Sequence, residues 1–229
     1  MDRSAVTQGS AEQQAIDLLL ETATSHRPDA RQAANFLLAW WHAHSCGGFD
    51  LQDLRQLGPR SGEQIVEILD LIWDVECGPE HLGRSQDFKD LIAKWRAHSE
   101  VGSTGTWRAP ALMAVPALTL DEHGAIDRLV KEARGSGPAS YAAGSLLLAW
   151  LDADQFGGFD PRLVTGLPQD VFEDVLHVVR LVARCRCHPG ATGHGPAIES
   201  LAATLQHPEA PAAPHWLDRL RPAATSRLR

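Results

Sequence analysis

The chain has 229 residues, 44% of them hydrophobic and 22% charged, with a formal net charge of −8 from 21 basic and 29 acidic side chains. This is an ordinary globular composition, and its acidic balance argues against a nucleic-acid binder, which needs clustered basic surface. No apolar run approaches the ~20 residues of a membrane span, Met1 to Glu12 lacks the apolar core of a secretory signal, and four cysteines fit a reducing cytoplasm better than a disulfide framework.

The elements come in two sets. Shifted by 110 residues, the sequence aligns with itself without a gap, and 24 of the 81 pairs from 15/125 to 95/205 are identical, about 30%. A fixed period of this kind marks a tandem duplication. It divides the chain into a first unit at 10–97, a linker at 98–118, a second unit at 119–207 and a Pro/Ala-rich tail at 208–229. Units this small are marginal alone, so their cores are expected to pack together.

In chain order, the first helix is expected to start at a capping box of Ser10 and Gln13 and to bury Ile16, Leu19 and Leu20. Its copy starts at Thr119 and Glu122 and buries Ile126, Leu129 and Val130. Pro28 and Pro138 mark the start of the second helix. There Ala33, Phe36, Leu37, Trp40 and Trp41, and in the copy Ala143, Leu146, Leu147, Trp150 and Leu151, follow a helical stripe. Leu38 and Ala39 make it apolar nearly all round, the mark of a central buried helix.

A Gly-Gly-Phe-Asp motif follows at Gly47–Asp50 and Gly157–Asp160. Helix-end chemistry accounts for it. Gly47 and Gly157 end the helix in the left-handed conformation, Phe49 and Phe159 fold back onto the core, and Asp50 and Asp160 cap the next turn, with Pro161 at its first position. A short helix around Leu54 and Leu57, or Val164 and Leu167, comes next. A fourth helix spans Ser61 to Asp74 and Asp170 to Arg184. Its β-branched residues suggest a strand, but Glu63, Glu67, Asp70 and Asp74 form a single helical stripe. A fifth holds Phe88, Leu91, Ile92 and Trp95, matched by Ile198, Leu201, Ala202 and Leu205. Ser99 to Thr106 reads as a flexible linker; Trp107, Leu112 and Met113 are expected to dock on a core, and Trp216, Leu217 and Leu220 to form a short amphipathic turn. The predicted fold is all-α: two tandem helical repeats of about five helices each, related by pseudo-two-fold symmetry.

The run Phe36-Leu37-Leu38-Ala39-Trp40-Trp41, followed by Cys46-Gly47-Gly48-Phe49-Asp50 and closed by Trp95-Arg96, resembles a small bacterial domain of unknown function found on proteobacterial mobile elements. The resemblance covers most of the first unit. The second departs from it with Leu151 for the second Trp and Phe156 for Cys46, and His42 stands where that domain has Asn. The resemblance implies a helical cytoplasmic domain encoded on a mobile element and transfers no catalytic residue.

Three constellations are candidate sites. The stripe Glu67, Asp70 and Asp74 becomes His177, Arg180 and Arg184 in the second unit. It reads as two solvated faces, as complementary docking between units, or, with Arg186, as a nucleic-acid contact, for which three or four basic groups are few. Cys185, Cys187, His188 and His194 offer thiols and imidazoles for zinc, in a spacing uncommon for that metal; the first unit has Val75, Cys77, Gly78 and Arg84 there, so the shared cysteine reads as a small buried hydrophobe. Third, His42 and His44 at a helix end become Asp152 and Asp154, which oppose the helix dipole there by roughly 0.3–1 kcal/mol each; they read as a surface without function, as carboxylates paired with nearby Arg or His, or as a contact for a partner. Their i, i+2 spacing separates them around a helix unless the turn unwinds.

Phosphate-loop, dinucleotide, nucleophile-elbow and zincin motifs are absent from the sequence. The expected function is a non-catalytic interaction module that needs no cofactor and binds another protein through helix faces or the groove between units, as a regulator or inhibitor, on the mobile-element analogy one directed at host defence. The alternative is a small metal protein or enzyme using the Cys/His cluster or the Asp152/Asp154 pair.

Overall fold

The computed structural model describes residues 11–75, 78–96 and 117–206. Ser10, Cys77, Trp107, Leu112, Met113, Trp216, Leu217 and Leu220 lie outside the described residues, as do most of the linker and the Pro/Ala-rich tail. The first unit contains α1 (Ala11–Thr24), α2 (Ala30–Cys46), α3 (Pro59–Val75) and α4 (Ser85–Trp95). The second repeats them as α5 (Leu120–Ala133), α6 (Pro138–Phe156), α7 (Gln169–Cys185) and α8 (Gly195–Gln206). The expected short helix is a single 3₁₀ turn in each unit, Leu51–Arg55 and Pro161–Val164. Among the described residues the chain is all-α, and the two units repeat one architecture.

Apolar periodicity places the core. Ile16 and Leu19 of α1, Phe36, Leu37, Leu38 and Trp40 of α2 and Phe88 of α4 are all buried, as are Ile126, Leu129, Leu146, Leu147, Leu148 and Trp150 in the second unit. These residues form one continuous cluster that runs through both units. The Thr119–Glu122 box caps α5 in both directions, at 2.8 and 3.2 Å. Pro138 is the first residue of α6. Pro28 stands just before α2, where Asp29 takes two hydrogen bonds from Arg27 and does not cap the helix.

The units meet about a pseudo-dyad. Phe49 and Phe159, which are equivalent by the repeat, form an antiparallel bridge with N–H donated to C=O in both directions, at 2.7 and 2.8 Å. The 3₁₀ turn of the first unit packs on α6 and α7, and that of the second packs reciprocally on α2 and α3. Helix α3 lies against α7. Near one end Trp73 stacks on Phe172 (centroids 4.7 Å, 4° between planes), and near the other Gly62 abuts Ala183. The two helices therefore run antiparallel, and exchanging each member of the pair Trp73–Phe172 for its repeat equivalent gives the symmetry mate, Ala183–Gly62. The dyad passes between Glu67 and Ile68 on α3 and between His177 and Val178 on α7. Residue i meeting j while j meets i is the signature of a two-fold interface, here within one chain.

Candidate functional site: a cleft at one end of the unit interface

The Gly-Gly-Phe-Asp turns build the dyad. Gly47 and Gly157 have positive φ (87° and 86°), but ψ is 144° and 151°. They combine positive φ with an extended ψ and are not left-handed helical, a region that only glycine enters freely. Gly48 and Gly158 are needed for a different reason. A Cβ on Gly48 would lie 2.2 Å from the carbonyl oxygen of Gly158, and a Cβ on Gly158 2.3 Å from the carbonyl carbon of Gly48. Phe49 meets Phe36 edge-on at 5.3 Å. Asp50 accepts from the Gln52 N–H (2.8 Å) and Asp160 from the Arg162 N–H (3.0 Å), capping their 3₁₀ turns. Burial, reinforced by the neighbouring charges of Asp53, Asp154 and Asp152, pushes the Asp50 carboxyl up to about 7.

Helices α2 and α6 break at equivalent places, His42 (φ −164°, ψ 82°) and Asp152 (φ −162°, ψ 96°). The Asp152 carboxylate accepts from the Gln155 N–H (2.9 Å), and the His42 ring accepts from the Ser45 N–H (3.3 Å). Each caps the short turn beyond the break. Asp152 therefore does not oppose a helix dipole as its sequence position suggests: the break makes it an N-cap, where negative charge is favourable. Asp154 stays exposed, beside the half-buried Asp50 of the other unit.

Cys187 is buried, and burial pushes its thiol up to about 11; burial also raises Cys185. Both shifts disfavour the thiolate that zinc requires. The His188 ring contacts the Leu151 carbonyl at 3.1 Å and accepts from the Gly190 N–H, while His194 sits between Thr192 and Asp127. Among the described residues no group of three or more His, Cys, Asp or Glu is disposed to hold a metal ion.

The charge-inverted stripe leads to a cleft. Where Gly62 meets Ala183, small side chains leave a cavity of about 770 Å³ between α3 and α7, within the range of ligand pockets. Its apolar wall is Pro59, Gly62, Val66 and Ala183; the first unit adds Glu63 and Glu67 to its charged lining, and the second adds Glu122, His177, Arg180, Arg184 and Arg186. Glu67 thus shares a cleft with His177, Arg180 and Arg184. Asp70 is half-buried, which pushes its carboxyl up, and the charge of Arg180 opposes that shift. The third expected pair does not form. Asp74 follows Trp73 at one end of the antiparallel interface and Arg184 follows Ala183 at the other. Arg184 instead pairs with Glu122 of its own unit at 2.5 Å; against the upward push of burial, the Thr119 N–H and then Arg184 hold the Glu122 carboxyl below its usual range.

Sequence reasoning missed Gly62, Ala183 and the apolar wall. The signal was present in the repeat: Gly62 aligns with Phe172, and Ala183 with Trp73. Its meaning required the direction in which the two helices cross.

No curated protein and no solved structure matches the chain. A family of unknown function, DUF7673, matches it at residues 13–96 and again at 123–206. Those segments coincide with the two helical units, and the chain belongs to this family as a tandem pair of its domains.

Proposed function

We propose that this protein is a non-catalytic helical interaction module that binds another protein across the face where α3 meets α7. The observation that carries the reading is the cleft, an apolar wall flanked by charge at the end of a two-fold interface opposite the stacked Trp73 and Phe172. Concave, partly apolar surface of this size is a common place for partners to anchor. No helix of the described residues is long and apolar enough to cross a membrane, which leaves a membrane partner without support. On the sequence resemblance, we place the protein in the bacterial cytoplasm as the product of a mobile element, acting as a regulator or inhibitor. The test is purification of the tagged full chain from its own host after cross-linking. One stoichiometric protein partner is expected, and none at all would reject the module. The Cys185, Cys187, His188 and His194 alternative has its own measurement: stoichiometric zinc in the purified protein, lost in Cys185→Ser, would replace this reading.

A further inference from the structure

We propose that the α3–α7 cleft receives a tryptophan side chain from an acidic segment of the partner, and that the opposite end of the same interface shows how. This rests on the interaction-module reading and specifies its contact.

The two ends of the interface are related by the pseudo-dyad, so each group at one end has a counterpart at the other. At the filled end Trp73 stacks on Phe172 and donates its indole N–H to the Leu167 carbonyl at 3.0 Å. The counterparts at the cleft end are Ala183, Gly62 and the Leu57 carbonyl. The small residues Gly62 and Ala183 bring the two helices into contact there, no ring covers that contact, and the open space lies beside it against Pro59 and Val66. The Leu57 carbonyl is met only at 3.5 Å by the Arg186 guanidinium, at the outer limit of a hydrogen bond. An indole entering over Gly62 and Ala183 would find the same acceptor that Trp73 uses, and Arg186 can turn aside because it is exposed.

Charge selects what flanks the ring. By the repeat, Glu173, Asp70, Asp74 and Trp73 are the equivalents of Glu63, Arg180, Arg184 and Ala183 of the cleft. The cationic wall is thus particular to the open end. Arg184 is held by Glu122, whereas Arg180 and Arg186 make no ion pair among the described residues. A carboxylate beside the indole would pair with them on the α7 side of the cleft, away from Glu63 and Glu67 of α3. A lysine-rich segment would meet those two cations. The cleft is several times the volume of one indole, leaving room for the flanking residues. Tryptophan and arginine are the residue types that most often dominate binding energy at interfaces.

The probe is a fluorescein-labelled peptide of glycine, aspartate, tryptophan, aspartate, glutamate and glycine, titrated with the full-length protein and read by anisotropy. Binding is expected, weaker by at least about tenfold when alanine replaces tryptophan or lysines replace the acids. Two protein variants locate it. Ala183→Trp supplies the ring that position 73 carries and should abolish binding with the helical circular-dichroism signal retained. Arg186→Glu, at an exposed site, should weaken binding at least about tenfold without touching the core. Absence of binding up to about 1 mM protein, equal binding of the alanine peptide, or full binding by Arg186→Glu overturns the proposal. So does tight binding of free indole-3-acetate where the peptide fails, which would make the ligand a small molecule. Partner capture that persists in Arg186→Glu and Ala183→Trp would sink the cleft assignment and leave the interaction module standing. Failure to capture any partner would sink the module itself.

Discussion

At Gly48 and Gly158 the demand is for space, not torsional freedom. Two backbones cross at the dyad, and each glycine faces the other's peptide group. Backbone cannot rotate away as a long side chain can, so Gly48→Ala should cost about 3 kcal/mol or more. Gly137, the N-cap of α6, has negative φ and open space around it, so in Gly137→Ala the weaker cap offsets the entropy gain and stability should stay within about 1 kcal/mol of wild type. Urea unfolding of both variants checks this; equal effects would reject the crossing as the reason for the second glycine. Asp50 makes a separate prediction. Its carboxyl titrates near 7 when folded because burial disfavours the charge, against about 3.9 in an unfolded chain. Between these values the folded state holds a proton that the unfolded state has lost. The contribution of Asp50 is therefore fully present below the lower value and is lost as pH rises through the higher one. Asp50→Asn keeps an acceptor for the Gln52 N–H and removes the charge. It should flatten stability between pH 4 and 7.5 and exceed wild type by about 1 kcal/mol at pH 8. An unchanged pH profile of stability would show that Asp50 is solvated.

At the scale of elements, helix positions were legible in the sequence because their causes are local. The stripe of Glu63, Glu67, Asp70 and Asp74 outweighed the β-branched residues around it, and α3 is a helix through all four. The breaks at His42 and Asp152 were not legible, since the apolar pattern of α2 and α6 continues across them. Capping by Asp152 becomes visible only once the chain has turned. The charge inversion was legible as a pattern but not as a geometry. Aligned residues meet only near a two-fold axis, so the 67/177 and 70/180 positions approach while 74 and 184 diverge. Coupling should accordingly be confined to the centre. Asp70→Arg and Arg180→Asp should each destabilise the chain, and the double exchange should recover about 0–1 kcal/mol beyond additivity. The corresponding exchange at Asp74 and Arg184 should show none. Thermal unfolding of the two cycles decides it, and equal coupling in both would contradict the antiparallel crossing.

For the whole molecule, the question is what one chain of two units does that a pair of identical units cannot. A homodimer of the first unit would set Trp73 against Gly62 at both ends of its interface, and one of the second would set Ala183 against Phe172 at both ends. Each end would then carry one large and one small side chain. Joining unlike units collects both large residues at one end and both small ones at the other, so the cleft belongs to the pairing and to neither unit alone. Electrostatics favour that pairing. Glu67 and Asp70 would face their own copies across a dyad in one homodimer, and His177 and Arg180 would do so in the other, whereas unlike units bring opposite charges together. The bulk of the attraction is the apolar core that both units share, and neither can bury its share unaided. Expressed as separate chains, residues 11–96 and 117–206 should therefore be marginally folded or self-associate weakly. Mixed in equal amounts, they should combine one to one and regain helical signal. Native mass spectrometry reads the outcome directly. If the mixture holds the two homodimers in preference to the mixed pair, charge and size inversion do not determine the partner, and the covalent link alone keeps the unlike units together.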